Sequence, residues 1–257
     1  MTLLVIAPDV DETAARFAAF ATSQGFPAVV AHGFGRVGVS VRATRERVCR
    51  ARLTFDGAEV TGVLNRGTGG WGDEPDPDRA FAAAETCAAF WSAVALWPGP
   101  VVNRPSEHGF SARLDPLELA VAGVVEPPRT VIVNDGSAPG REVFRIPEWT
   151  VLDPGAPRGR FDVVQIGDPG RTRRFLVAGA EVLEAGGVGR PLDAETADRV
   201  APIVAWIRGR GTMFADFRVE PGAGVPRLAD VSCWPGHDLF PDFEDQVYAA
   251  LLAGLAS

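Results

Sequence analysis

The sequence predicts a layered α/β protein, and three observations carry that reading. It opens with the apolar run Leu3 to Ala7, a stretch with Ala14, Phe17, Ala18 and Ala21 at helical spacing, and a second apolar run, Ala28 to Ala31. Short apolar or alternating runs recur through the rest of the chain, interrupted by long helical patterns. With 257 residues, 46% of them hydrophobic and 23% charged, the chain can bury a core and divide into two or three lobes.

In order, Gly25 closes the first helix, and Val37 to Val41, Arg50 to Phe55 and Val60 to Leu64 alternate like strands, the last two joined by a hairpin turn at Asp56-Gly57. Gly67 to Asp78, with glycines at 67, 69, 70 and 72, reads as a loop. Arg79 to Leu96 then reads as a helix burying Phe81, Ala84, Cys87, Ala88, Trp91 and Val94. Val101 to Asn103 is a short strand and Pro116 to Gly123 a helix, and Pro127-Pro128 marks a lobe boundary. Beyond it, Thr130 to Val133, Glu142 to Ile146, Asp162 to Ile166, Arg174 to Val177 and Ala180 to Leu183 read as strands, with loops at 134–140 and 153–160. Ala194 to Arg208 is a helix with Asp193 as N-cap and Gly209 after its end. Thr212 to Glu220 and Arg227 to Cys233 flank a Pro-Gly-rich turn, and Phe243 to Leu255 closes the chain as a helix. The expected division is 1–126, 127–188 and 189–257.

Composition removes several chemistries. The net charge of −8 argues against a non-specific grip on nucleic acid or anionic membranes. All 25 basic residues are arginine, so a lysine Schiff base, a phosphate-loop lysine or a lysine base is excluded. Cys49, Cys87 and Cys233 follow no metal or redox pattern and are expected as reduced thiols. Without a basic leader or a run of about 18 apolar residues, the expectation is a soluble, cytoplasmic protein. His32, His108 and His237 are not at metal-ligand spacings, Gly67 to Gly72 lacks the order of a phosphate loop, and the His237-Asp238 pair near Ser232 lacks a nucleophile elbow.

The most informative region is Met213 to Pro235. If the hairpin folds symmetrically about Ala223, Asp216 lies opposite Asp230, with Ser232 on the same face. Facing carboxylates need a cation, an arginine or a shared proton. Mg²⁺ is one occupant, since it favours one or two carboxylates plus substrate phosphates. The other reading is an ion-pair cluster in which Arg218 and Arg227 neutralise the acids.

At this hairpin the chain resembles the ATP-grasp superfamily. Asp230-Val-Ser232-Cys-Trp-Pro235 stands where that family has Glu-x-Asn-x-x-Pro, with Asp for Glu and Ser for Asn. Val163-Val-Gln165-Ile-Gly and Arg173-Arg174-Phe-Leu-Val-Ala-Gly179 look like the paired strands of the family's nucleotide-holding lobe, and 128–135 like the strand that opens it. Val102-Asn103-Arg104-Pro105 resembles the end of the preceding domain in the RimK-like and graspetide-ligase branch. The family's phosphate-holding lysines are missing. Val143 to Pro147 is the only candidate strand, and it carries Arg145 at the key place; the flap is reduced to 153–160.

The resemblance implies an N-terminal pre-ATP-grasp α/β domain followed by a reduced ATP-grasp domain, and an ATP-dependent carboxylate-amine ligase working through an acyl phosphate on a small-molecule or peptide substrate. It implies ATP and Mg²⁺ as cofactors, Asp216, Asp230 and Ser232 around the metal, Arg145 and Arg174 as catalytic groups facing phosphates, and Arg145, Gln165, Arg173 and Arg174 against the nucleotide. A homodimer or a partner enzyme stays open. The alternative is a degenerate, non-catalytic binding or scaffold subunit that kept the fold and lost the nucleotide site.

Overall fold

The computed structural model describes residues 2–43, 49–67, 76–107, 109–127, 130–133, 143–145, 162–166, 172–185, 192–220 and 224–256. Of 43, 49–50, 130–133, 143–145 and 162–166, only the backbone is described. The glycine loop at 68–72, the turn at 134–140 and the shortened flap at 153–160 lie outside the described residues.

The first sheet is built on β1 (Thr2–Ile6), with β2 (Ala28–Ala31) and β5 (Ala58–Asn65) parallel to it on either side. A short β6 (Val101–Val102) runs parallel to β5. β3 (Val37–Ala43) and β4 (Cys49–Phe55) extend the sheet as an antiparallel ribbon. The Asp56-Gly57 hairpin forms as the sequence predicts. Both residues take positive φ, 48° and 79°, as a two-residue turn with the twist of a hairpin requires.

A second sheet has the order β11-β10-β12-β13, from β10 (Arg173–Ala178), β11 (Glu181–Glu184), β12 (Phe214–Glu220) and β13 (Arg227–Ser232), all antiparallel. It draws strands from both sides of residue 188. A third, three-stranded sheet places β9 (Asp162–Ile166) between β7 (Thr130–Val133) and β8 (Val143–Arg145). The two motifs read as one pair of strands, 163–167 and 173–179, therefore belong to different sheets. β10 is an inner strand, paired with β11 on one edge and β12 on the other, and its Phe175, Leu176, Val177 and Ala178 are buried on both faces.

Helices fill the layers. α1 (Glu12–Ser23) starts where Asp11 accepts the Ala14 amide, and it buries Thr13, Ala14, Phe17, Ala18 and Ala21. α5 (Glu244–Leu255) inserts Val247, Tyr248, Leu251 and Leu255 into a core shared by both large sheets, with Leu3, Val5 and Leu64 on one side and Leu176, Ala178 and Phe214 on the other. Gly62 permits that approach: a Cβ there would lie 2.8 Å from Leu3 Cδ2 and 3.0 Å from the Leu255 carbonyl oxygen. α4 (Ala194–Gly209) is capped by Asp193, which accepts the Thr196 amide, and packs Val200, Ile203, Val204 and Ile207 on the far face of the second sheet. α2 (Pro77–Leu96) covers the far face of the first. α3 (Pro116–Val121) joins the core beneath α4 through Leu119.

One face assignment differs. α2 buries Cys87, Phe90, Ala93 and Val94, and Phe81 is 67% exposed, with Ala84 and Ala88 also outward. The helix is rich in alanine on all sides, so its hydrophobic contrast is weak and the periodicity selected a neighbouring stripe. No described helix is long and apolar enough to cross a membrane.

Candidate functional site

The site grows from the end of β12 that carries Asp216 and Arg218. Alternation puts residues 216 and 218 on one face and Phe217 and Val219 on the α4 face, where they are buried in an apolar core. The cross-strand register differs from the symmetric expectation. Asp216 lies opposite Ser232, and Arg218 lies opposite Asp230, with Glu220 opposite Arg227. The turn is one residue off centre and an irregularity between Arg218 and Val219 adds another. Two one-residue shifts preserve the facing, so Asp216, Arg218, Asp230 and Ser232 still share one face. From β10, Arg174 joins them, directly opposite Arg218.

Asp216 is the buried centre, with 1% of its surface exposed. Arg174 donates to its Oδ2 through Nε and places Nη2 at 2.7 Å from the same oxygen. Oδ1 is buried and, among the described residues, has no hydrogen-bond partner. Burial pushes the Asp216 carboxyl above its ordinary value, against the pull of Arg174. Burial and the neighbouring Arg174 charge push Arg218 below its ordinary value, while Asp230, Asp216 and Asp238 favour its charged form. Ser232 Oγ accepts the Trp234 amide and so shapes the turn into Pro235.

Other arginines are committed elsewhere. Arg173 projects to the opposite face, where it donates to both Glu184 oxygens at 2.8 Å and to Thr196 Oγ1 at 3.0 Å. One residue of strand alternation separates it from Arg174, so the two do not face a common ligand. Arg227 pairs with Glu220, at 3.2 Å, and with Glu126, rather than with Asp216 or Asp230. The backbone register puts Arg145 opposite Val164, and Gln165 opposite Thr130 and Phe144, in the third sheet. Among the described residues, no three His, Cys, Asp or Glu side chains gather as a metal site.

Sequence reasoning missed what holds this hairpin to the first sheet. Asn103, at φ 58°, accepts the Met213 and Phe214 amides with Oδ1 and donates to the Phe214 and Cys233 carbonyls with Nδ2. Asn65 donates to the Asn103 carbonyl in turn. An Asn between a short strand and Arg-Pro was the available signal, since Asn tolerates positive φ better than other non-glycine residues. Arg66 is a second unforeseen member: its Nε donates to Asp11 Oδ2 at 2.7 Å and its guanidinium lies 5.5 Å from the Phe214 ring centre.

No family model and no curated protein matches the sequence. Solved structures match over nearly the whole chain. The macrocyclase MdnC from Microcystis aeruginosa, bound with the precursor peptide MdnA, is 14% identical with a TM-score of 0.64, covering 98% of this chain and 100% of that one. The ATP-grasp ligase PsnB, complexed with a minimal precursor, Mg and ADP, is 16% identical with a TM-score of 0.65, covering 98% and 97%. A RimK-domain ATP-grasp protein from Sphaerobacter thermophilus is 16% identical with a TM-score of 0.56, covering all of both chains. The fold is that of the ATP-grasp ligases, graspetide ligases among them.

Proposed function

We propose that this ATP-grasp-fold chain is an ATP-dependent carboxylate-amine ligase that acts on a peptide. The observation that carries the reading is the orphaned Asp216 Oδ1, a buried acceptor on the same face as Asp230, Ser232 and the Arg174 guanidinium. A buried carboxylate oxygen without a donor suits a divalent cation. Asp216 and Asp230 would hold Mg²⁺, with Ser232 as a neutral oxygen, and the metal would supply charge neutralisation at the phosphates.

The chain's own residues do the rest. Arg174, partly exposed, offers its guanidinium to a polyphosphate in place of Asp216 Oδ2. In the third sheet the register sets Arg145 across from Val164 and Gln165 across from Phe144, so alternation puts these two positions on opposite faces; Arg145 is kept for the phosphates and Gln165 drops out of the nucleotide set. Arg173 is withdrawn from it, because its donors go to Glu184 and Thr196 on the other face. A substrate carboxylate oxygen attacks the γ-phosphorus and the bond to ADP breaks. The amine nitrogen then attacks the acyl carbon, phosphate leaves with the bonding pair, and the amine proton passes to solvent. Positioning and charge neutralisation dominate such a transfer, and without lysine both fall to guanidinium groups. The peptide class follows the complexes of MdnC and PsnB with their precursors. A cytoplasmic setting, rich in ATP, goes with this reading.

A second reading has its own observation. Arg218 stands across from Asp230, the arrangement of an internally neutralised site, which favours a non-catalytic peptide-binding subunit. ADP release with Mg²⁺, a Glu- and Asp-containing peptide and an amine separates the two. The ligase reading expects peptide-dependent ADP that Asp230→Ala abolishes; no ADP above background under any peptide leaves the binding subunit.

A further inference from the structure

The ribbon of β3 and β4 and its connection are basic in a chain that is acidic as a whole. The protein carries a net −8, yet residues 42–52 contain five arginines and one acid. Arg42 and Arg52 are exposed on the ribbon's outer face, Arg52 lying 3.6 Å from Glu59 of β5 in an exposed pair that a peptide carboxylate would have to share, and the register sets Arg50 directly across from Arg42.

β3 is also an edge. It ends the order of the first sheet and, among the described residues, pairs only with β4. Residues 38–42 are all exposed, and Val39 and Val41 are 39% and 52% accessible on the α2 side. Edge strands in soluble proteins are normally blunted by Pro, Lys, bulges or short length. This one has seven residues and contains neither Pro nor Lys.

We propose that the outer edge of β3 docks an extended acidic peptide, which adds as a further strand. Backbone groups of the peptide would pair with the free edge, its apolar side chains would cover Val39 and Val41, and its carboxylates on the other face would meet Arg42 and Arg52. A second copy of this chain fits less well, since it would set one arginine ribbon beside another. A nucleic acid would answer the charge but lacks the alternating amide donors and acceptors that the edge offers. The docking stands independently of the ligase reading and requires no nucleotide.

The test uses the full chain and a fluorescein-labelled octapeptide alternating Val and Glu, followed by anisotropy. Saturable binding is expected, weakening by about tenfold from low to physiological salt. An alternating Val-Lys peptide should not bind. Arg42→Glu with Arg52→Glu, both exposed, should abolish binding while leaving the melting temperature within a degree or two of wild type. Hydrogen exchange should slow within residues 38–42 when the Val-Glu peptide is present. The proposal fails if the peptide does not bind, if the double variant binds equally well, if protection appears elsewhere than β3, or if a thymidylate octamer displaces the peptide at equal concentration.

Discussion

Arg174 spends two donors on a single oxygen of Asp216, Oδ2, and leaves Oδ1 buried without a partner among the described residues. A relaxed bidentate pair would use both oxygens. The geometry is therefore half of an ion pair and half of a vacant acceptor, and it makes Asp216 the most consequential side chain on this face.

Removing Arg174 should expose that imbalance. Arg174→Met leaves a buried carboxylate with its nearest counter-charge gone, at a cost of about 3–5 kcal/mol. The double variant Arg174→Met with Asp216→Leu should recover most of the loss, because burial without charge needs no partner. Urea unfolding of the three proteins checks this, and a single variant as stable as wild type would show that the pair carries no weight.

The pH dependence has a defined sign. The Asp216 carboxyl is raised above its ordinary 3.8 by burial. A group raised on folding favours the folded state when protonated, so its contribution is fully present below the ordinary value and is lost as pH rises through the raised one. Asp216→Asn should remove this fall, and its unfolding free energy should be flatter than wild type through that acidic window. Glu184 acts the other way: lowered by Arg173, it stabilises above its ordinary 4.5 and loses that contribution as pH falls below it.

Asn103 links the first sheet to the hairpin through four hydrogen bonds. Asn103→Ala strips all four and keeps an unfavourable positive φ, so a loss of about 2–4 kcal/mol is expected. Asn103→Asp keeps the acceptor but turns a second oxygen, in place of the Nδ2 donor, toward the Phe214 and Cys233 carbonyls in a buried site, so it should lose at least as much. Thermal melts rank the three, and an unchanged Ala variant would refute the linking role.

Cys233 is buried, and burial raises its thiol to about 11. The reactive thiolate is scarce at neutral pH, so maleimide should leave Cys233 unmodified in the folded protein and label it after denaturation. Peptide mapping by mass reads the outcome directly.

The local signals in the sequence were strong where backbone chemistry dictates them. Asp56-Gly57 announces a tight hairpin, and Asp193 and Gly25 bound their helices, because these residues satisfy specific backbone demands. The shared face of Asp216, Asp230 and Ser232 was legible from alternation alone, and alternation survived two compensating shifts in register. Their partners were not legible. Which residue stands opposite Asp216 depends on a bulge that leaves no composition signal, and the grip of Arg174 depends on a strand nearly forty residues upstream joining β12. The exposure of Phe81 went unread for a related reason: α2 is apolar nearly all round, and tertiary packing chose the face.

On the ligase reading, this carboxylate and guanidinium face receives a metal-bound polyphosphate. Isothermal titration of ATP with and without Mg²⁺ tests it most directly, on wild type and on Asp216→Asn. Binding that strengthens at least about tenfold with Mg²⁺, and loses that gain in the variant, is the expected result. Millimolar ATP giving no heat, or the same affinity with the metal chelated, would contradict it.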